Sequence, residues 1–365
     1  MWFLGRSKPA PWRGGLLPWL ASLVLAGCAS HNPYYDPAKP HHRPDGFRNN
    51  YPHETKGSAD FWRWQWQRWR DDLPPPAAPL LPVAPDLAFI QANRQEPAVT
   101  WIGHSTVLLQ LGGLNVLTDP QFSHRASPFS FIGPKRHQPP GVALADLPRI
   151  DLVLISHNHY DHLDLASVRA LYRQPGGPPL FLVPLGIDPW FKEEVSDGSG
   201  EHVRAFDWWQ RIDYRGLDIH FLPIQHWSAR TPWDRNRTLW GAWAVRHPQL
   251  SFFFSGDLGY SRDLRDIGRR LGGFDLAAIA VGAYEPRWFM RPQHLNPAEA
   301  VRAHRDLGAR RSFGIHWGTF EDLTDEPLDQ PPRDLARARQ AAGLSEQEFF
   351  LLRHGETYRP AAAAK

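Results

Sequence analysis

At 365 residues, with 42% apolar and 22% charged side chains, the chain is long enough for one large domain or two smaller ones and too apolar for global disorder. Its 41 basic residues barely exceed its 38 acidic ones, and residues 1–27 hold Arg6, Lys8 and Arg13 but no acid, so 38 of each remain beyond them. That balance excludes a global electrostatic case for nucleic acid, and a single cysteine, Cys28, excludes an intramolecular disulfide.

The chain opens with a basic leader and the apolar stretch Leu16 to Ala26, which is shorter than the ~20 apolar residues of a membrane span and reads as a signal peptide over residues 1–27. Leu25-Ala26-Gly27-Cys28 resembles a bacterial lipobox. The resemblance implies a lipidated Cys28, and Ala29 after it, in place of Asp, points to an outer-membrane lipoprotein facing the periplasm. An ordinary secretory signal with an incidental cysteine is the plainer alternative.

Residues 28–87 read as a tether, a Trp-rich segment and a Pro-rich connector leading to the folded body. Within them, residues 29–58, rich in His, Pro, Asn and Asp, are expected to form a tether. Trp62, Trp66 and Trp69 then share one face at helical spacing, with Arg63, Gln67 and Arg70 beside them. Such a face suits a membrane interface or a brace against the body, and the sequence does not choose between them. Leu73 to Pro85, with Pro74-Pro75-Pro76, is an extended connector.

The folded body is expected over 88–358, with a frayed tail at 359–365. Strands are predicted at Val99–Ile102, Thr106–Leu111, Leu114–Thr118, Leu152–Ile155, Leu180–Val183, Leu217–Leu222, Trp240–Val245, Ser251–Phe254, Leu276–Val281 and Ser312–Ile315. Helices are predicted at Leu163–Tyr172, Ser261–Leu271 and Pro297–Leu307, the last capped by Asn296. Two series of strands, each closed by helices, suggest two face-to-face sheets with helices outside. The 17 tryptophans and 36 prolines predict stiff loops and abundant aromatic surface.

Directly after the Leu152–Ile155 run stands Ser156-His157-Asn158-His159-Tyr160-Asp161-His162. Crowding imidazoles and a carboxylate at the mouth of a buried strand is costly unless a cation compensates it. Carboxylate plus imidazole without thiolate suits zinc, and also iron or manganese. His226, Asp257 and His316 each follow a later strand, and each alone would be an ordinary turn or cap residue.

In that order, the cluster and the three later residues resemble the metallo-β-lactamase superfamily, an α/β fold whose αββα sandwich has two mixed sheets flanked by helices. The resemblance implies two divalent metal ions, zinc first among the candidates. His157, His159 and His226 would hold the first ion, Asp161, His162 and His316 the second, and Asp257 would bridge both. Trp101-Ile102-Gly103-His104-Ser105-Thr106, Thr118-Asp119-Pro120, Phe131-Ile132-Gly133-Pro134-Lys135-Arg136, Ser255-Gly256-Asp257-Leu258-Gly259-Tyr260, Glu285-Pro286-Arg287-Trp288-Phe289-Met290 and Ile315-His316-Trp317-Gly318-Thr319-Phe320 narrow it further. They look like the branch containing N-acylphosphatidylethanolamine-hydrolysing phospholipase D, over about Phe61 to about Arg333.

That branch implies phosphodiester hydrolysis by a metal-activated water, releasing a phosphatidic acid and an N-acylethanolamine. Asp161 and Asp257 are the expected catalytic carboxylates, and His294 the residue that contacts substrate or protonates the leaving group. Gly103 and His104 lie in a strand turn from which they approach the cluster. Trp227, Trp233, Trp288 and Phe289 would suit an acyl-chain groove, although core packing explains many aromatics. A phospholipid substrate and a membrane reached through Cys28 are the expected partners, with no nucleic acid. A same-fold hydrolase of a lactone or nucleotide phosphodiester, and a non-catalytic envelope lipoprotein, are the alternatives.

Overall fold

In a computed structural model the described residues are 31–71, 73–75, 78–196 and 198–360. The leader, the lipobox with Cys28, and Ala361 to Lys365 therefore lie outside the described residues. The described residues belong to one compact unit. Among the described residues, no helix is long and apolar enough to cross a membrane.

Two seven-stranded sheets make the body. In spatial order, the first contains Thr357–Tyr358, Ala98–Gly103, Thr106–Leu111, Leu114–Thr118, Leu152–Leu154, Leu180–Pro184 and Val203–Phe206. The second contains Arg211–Tyr214, Leu217–Leu222, Ala242–His247, Leu250–Phe254, Phe274–Ala280, Ala309–Ile315 and Phe349–Leu351. Each sheet starts antiparallel and turns parallel part-way, at Leu114–Thr118 beside Leu152–Leu154 and at Leu250–Phe254 beside Phe274–Ala280.

The inner strands are buried on both faces, and their period of two sorts side chains between two cores. Val107, Leu109, Leu152, Leu154 and Leu182 point into the core that also holds Trp243, Phe252, Phe254 and Phe313 of the second sheet. Their neighbours Leu108, Val153, Ile155, Phe181 and Val183 point the other way, onto Val168, Leu171 and Phe191. Those three belong to the helices Leu165–Tyr172 and Asp188–Glu194. The indole N–H of Trp243 donates to the carbonyl of Ile155 at 2.8 Å, a polar tie between the sheets. The predicted helices at Ser261–Leu271 and Pro297–Leu307 are present as Asp263–Leu271 and Pro297–Asp306, with the Asn296 side chain capping the latter.

The N-terminal segment departs from its reading as a tether. His41 and His42 donate to Asp207 at 2.7 and 3.0 Å, Lys39 joins them at 2.6 Å, and the Asn32 side chain closes a short antiparallel ladder between His42–Arg43 and Gly46–Phe47. Polar composition suggested a solvated chain, but these groups find tertiary partners and order the segment against the body.

The tryptophan-rich helix spans Ser58–Arg70, and the residue that fixes it is Trp64, outside the predicted stripe. Trp64 stacks on Phe289 at 4.9 Å and donates its indole N–H to Asp325 at 3.0 Å. Trp62, Trp66 and Trp69 remain exposed.

Candidate metal centre

Every ligand-type residue singled out from the sequence arrives at one edge of the sandwich, at the ends of strands. His157, His159, Asp161 and His162 occupy the loop after Leu152–Leu154, and His226 follows Leu217–Leu222. Asp257 and His316 follow Leu250–Phe254 and Ala309–Ile315. Gly256, at φ +55°, lets the chain pass Ser156, because a Cβ there would stand 2.6 Å from the Ser156 Cβ. His104, Asp119 and His316 also adopt positive φ, at 53°, 33° and 62°, where non-glycine residues are strained. Hydrogen bonds hold them there: His316 N–H donates to the His104 carbonyl, His104 N–H to Thr319 Oγ1, and Asp119 N–H to the Leu154 carbonyl.

The donor atoms gather in two groups. His157 Nε2 lies 2.8 Å from His159 Nδ1, which lies 3.4 Å from His226 Nε2, so three imidazole nitrogens face one another. Asp161, His162 and His316 form the second group together with His104, whose Nε2 is 2.9 Å from Asp161 Oδ2. Asp257 stands between them, with Oδ2 3.1 Å from His162 Nε2 and 4.0 Å from His226 Nε2, and Oδ1 3.0 Å from His316 Nε2.

Several buried polar atoms here have no hydrogen-bond partner: His159 Nε2, Asp257 Oδ1, both nitrogens of His316, and His294 Nδ1. The His316–Asp257 contact is short but lacks hydrogen-bond geometry. Unsatisfied donors and acceptors concentrated in one spot are costly, and divalent cations are what such a donor set fits.

Electrostatics agree with that fit. Burial lowers His157 and His226 well below the ordinary histidine range and His159 to about 4, so this group is neutral, the form that binds a metal. Burial also opposes charge on His316, yet Asp257 and Asp161 push it up to about 9. The two carboxylates thus draw positive charge to the second group.

Several positioning residues were given no role from the sequence. Asp119, fully buried, accepts from His162 Nδ1 at 2.6 Å, from Ser156 Oγ at 2.5 Å and from Ser156 N–H at 2.7 Å. It fixes the His162 tautomer and turns Nε2 toward Asp257 and Asp161. The sequence marked it only as part of the motif Thr118-Asp119-Pro120 at a strand end. The Gln293 carbonyl accepts from His226 Nδ1 at 3.0 Å, and Asn49, in the presumed tether, pairs with the His226 backbone in both directions. Arg230 donates to the carbonyls of Asn158 and Leu163 and lies 4.0 Å over the Tyr160 ring, clamping the ligand loop. His104, weakly marked by the sequence, is buried directly against Asp161.

His294 reaches the centre from the loop before the helix Pro297–Asp306, with Nδ1 3.9 Å from Asp257 Oδ2, and burial lowers it to about 4. The centre opens into a cleft of about 770 Å³ whose lining includes Phe61, Trp62, Trp64, Trp227, Phe289 and Met290. Of the predicted groove aromatics, Trp227 and Phe289 line it. Trp233 sits on the adjoining turn, and Trp288 lies outside, against Arg63.

Comparison with known proteins places this architecture. A family model described as a beta-lactamase superfamily domain matches residues 114–317. The chain belongs to the metallo-β-lactamase superfamily. It is 41% identical over 269 residues to the N-acyl-phosphatidylethanolamine-hydrolyzing phospholipase D 1 of Caenorhabditis elegans, covering 71% of this chain and 74% of the relative. It is 34% identical to the mitochondrial N-acyl-phosphatidylethanolamine-hydrolyzing phospholipase D of Saccharomyces cerevisiae, covering 68% of this chain and 53% of that one. Among solved structures, the isothiocyanate hydrolase from Delia radicum gut bacteria superposes with a TM-score of 0.57 at 18% identity, over 73% of this chain and all of that one, which supports the fold. As a metallo-β-lactamase superfamily member the chain is a metal-dependent hydrolase, and two ligand-rich groups lie where such a centre is expected.

Proposed function

We propose that the protein is a dinuclear, zinc-dependent phosphodiesterase of phospholipase D type that hydrolyses N-acylphosphatidylethanolamine-like phospholipids. The observation that carries this reading is two ligand groups joined by Asp257 on the floor of a largely apolar cleft, in a chain 41% identical to a phospholipase of that name. In this reading His157, His159 and His226 hold one ion, Asp161, His162 and His316 the other, and Asp257 both. Ions held there supply Lewis acidity and make water a nucleophile near neutral pH.

The chain's own residues supply the rest. Asp119 and the Gln293 carbonyl hold His162 and His226 in their binding tautomers. His104 holds Asp161 Oδ2 in place beside the reacting group. His294, neutral and facing the cleft, donates a hydrogen bond to a phosphoryl oxygen. Phe61, Trp227, Phe289 and Met290 take up acyl chain and exclude water. The phosphorus–oxygen bond to the ethanolamine side breaks, and water supplies the oxygen retained by phosphatidic acid and the proton that leaves with the alcohol. The lipobox reading adds an outer-membrane location through acylated Cys28.

A lipid-panel hydrolysis assay with metal content measured on the same sample tests the function. Release of N-acylethanolamine by protein carrying about two equivalents of metal is expected. Less than one equivalent after gentle purification, or lactone opening without alcohol release from the phospholipid, overturns it. Cys28→Ser should release the protein from cell membranes.

A further inference from the structure

The walls of the cleft continue outward into aromatic and aliphatic side chains that stay exposed at the surface. On the tryptophan-rich helix, Trp62 lines the cleft, and Trp66 and Trp69 extend the same stripe away from it, Trp69 at 83% exposure. On the facing wall, Thr231, Pro232 and Arg235 line the cleft, and the tip between them carries Trp233 at 72% exposure. A third lip begins at Ala126, also in the cleft lining. It rises into Phe129, Phe131 and Ile132, with Phe131 at 77% exposure. This lip is a held protrusion: Ala126 N–H donates to the Pro134 carbonyl, Arg125 Nη1 donates to the Gly133 carbonyl at 2.6 Å, and the Phe129 and Phe131 rings lie 5.6 Å apart.

Charge completes the pattern. Arg63 lies 4.6 Å over the Trp288 ring and Arg235 4.1 Å over the Trp227 ring, and neither has an acidic partner among the described residues. The acids nearby are engaged. Asp234 accepts from the backbone N–H groups of Arg230 and Thr231, Glu54 pairs with Lys56, and Asp60 accepts from the Gly57 N–H. Trp227 in turn packs edge-on against His159 at 4.4 Å, so the Arg235 guanidinium stands one indole away from the centre.

We infer that this rim docks the enzyme on an anionic lipid bilayer, with the cleft mouth against the surface, the aromatic lips in the headgroup–acyl boundary, and Arg63 and Arg235 on lipid phosphates. Indole and phenyl rings flanked by unpaired guanidinium groups suit the interfacial zone, where apolar burial and attraction to anionic headgroups add. The geometry also removes the need for a two-chain lipid to cross water, because the cleft that reaches His159 and Asp257 opens between the lips. The inference rests on the phospholipid reading for the identity of the occupant.

Sedimentation of the chain from His31 onward with phosphatidylcholine vesicles, with and without phosphatidylglycerol, tests it. The parent protein should bind the mixed vesicles more tightly than the neutral ones. Trp66→Ser/Trp69→Ser/Trp233→Ser should reduce binding by roughly tenfold or more. Hydrolysis of a soluble short-chain phosphodiester should stay unchanged, since none of the three lines the cleft. Arg235→Glu should abolish the preference for anionic vesicles. Equal thermal midpoints for parent and triple variant establish that folding is not the cause. Undiminished vesicle binding by the triple variant overturns the inference. So does a parent dimer that the triple variant dissolves while neither binds vesicles, because the rim is then a contact between copies. Vesicle binding without phospholipid hydrolysis defeats the proposed activity and leaves the docking surface standing. Hydrolysis in detergent without vesicle binding does the reverse.

Discussion

Replacing Asp119 by asparagine changes one atom and should cost the centre one metal before the other. The Asp119 carboxylate accepts three hydrogen bonds in a site with no exposure, including one from His162 Nδ1 at 2.6 Å. An asparagine oxygen can still accept from the Ser156 N–H, but its NH₂ then meets two donors, His162 Nδ1–H and the Ser156 hydroxyl. His162 relieves the clash by moving its proton to Nε2, the nitrogen that faces Asp257 and Asp161. A protonated Nε2 cannot bind a cation. Loss of an orienting partner typically weakens metal affinity about 10- to 100-fold, or roughly 1.4–2.8 kcal/mol, and a buried charge-assisted hydrogen bond contributes about 1.5–3 kcal/mol to stability. Dialysis of Asp119→Asn against graded chelator, with metal counted in the protein, should therefore remove one equivalent at a ~10- to 100-fold lower chelator concentration. The second equivalent, on His157, His159 and His226, should resist as in the parent protein. Retention of both equivalents within about twofold of the parent would refute the tautomer argument.

Asp257→Asn removes the group shared by both ligand sets, and turnover should fall below about one hundredth of the parent value; retained activity would show that Asp257 is not the shared ligand. Trp64→Ala should cost about 3–5 kcal/mol of local stability by emptying the stack on Phe289, read as early proteolysis around residues 51–71, whereas Trp64→Phe should lose less. Burial holds His354 down at about 4, helped by Arg136 and His137, against an ordinary value near 6.5. Its contribution, on the order of 3 kcal/mol, is therefore complete above about pH 6.5 and lost as pH falls through 4, so thermal midpoints of His354→Gln should fall less steeply across that window than those of the parent. Arg230→Met should loosen the loop between Asn158 and Leu163 and lower chelator resistance about tenfold, and an unchanged metal content would refute the clamp.

Strands with apolar runs were legible because each buries two faces, and the runs ending at Ile155, Phe254 and Ile315 lie where the sequence placed them. The candidate ligands follow the same rule: His157, Asp257 and His316 sit where such a run stops. The strand at Arg211–Tyr214 and the helix at Gln330–Ala342 were not, since the first alternates exposed polar residues at a sheet edge and the second begins at a Pro-Pro pair that reads as a breaker. Trp64 was missed because the helical stripe of Trp62, Trp66 and Trp69 invites burial, and only tertiary contact with Phe289 and Asp325 decides otherwise. Asp119 and Asn49 act on His162 and His226 from far along the chain, a relation that no local pattern carries.

The centre draws His157, His159, Asp161 and His162 from one sheet and His226, Asp257 and His316 from the other. Neither half holds the full set alone, so metal bound by both would tie the two sheets together like rivets through two plates. Metal depletion should then be felt as slippage between the sheets before it is felt as melting of either. In the proposed reading, freshly made chains should become competent only once both halves have closed, so the onset of chemistry would follow completion of the fold.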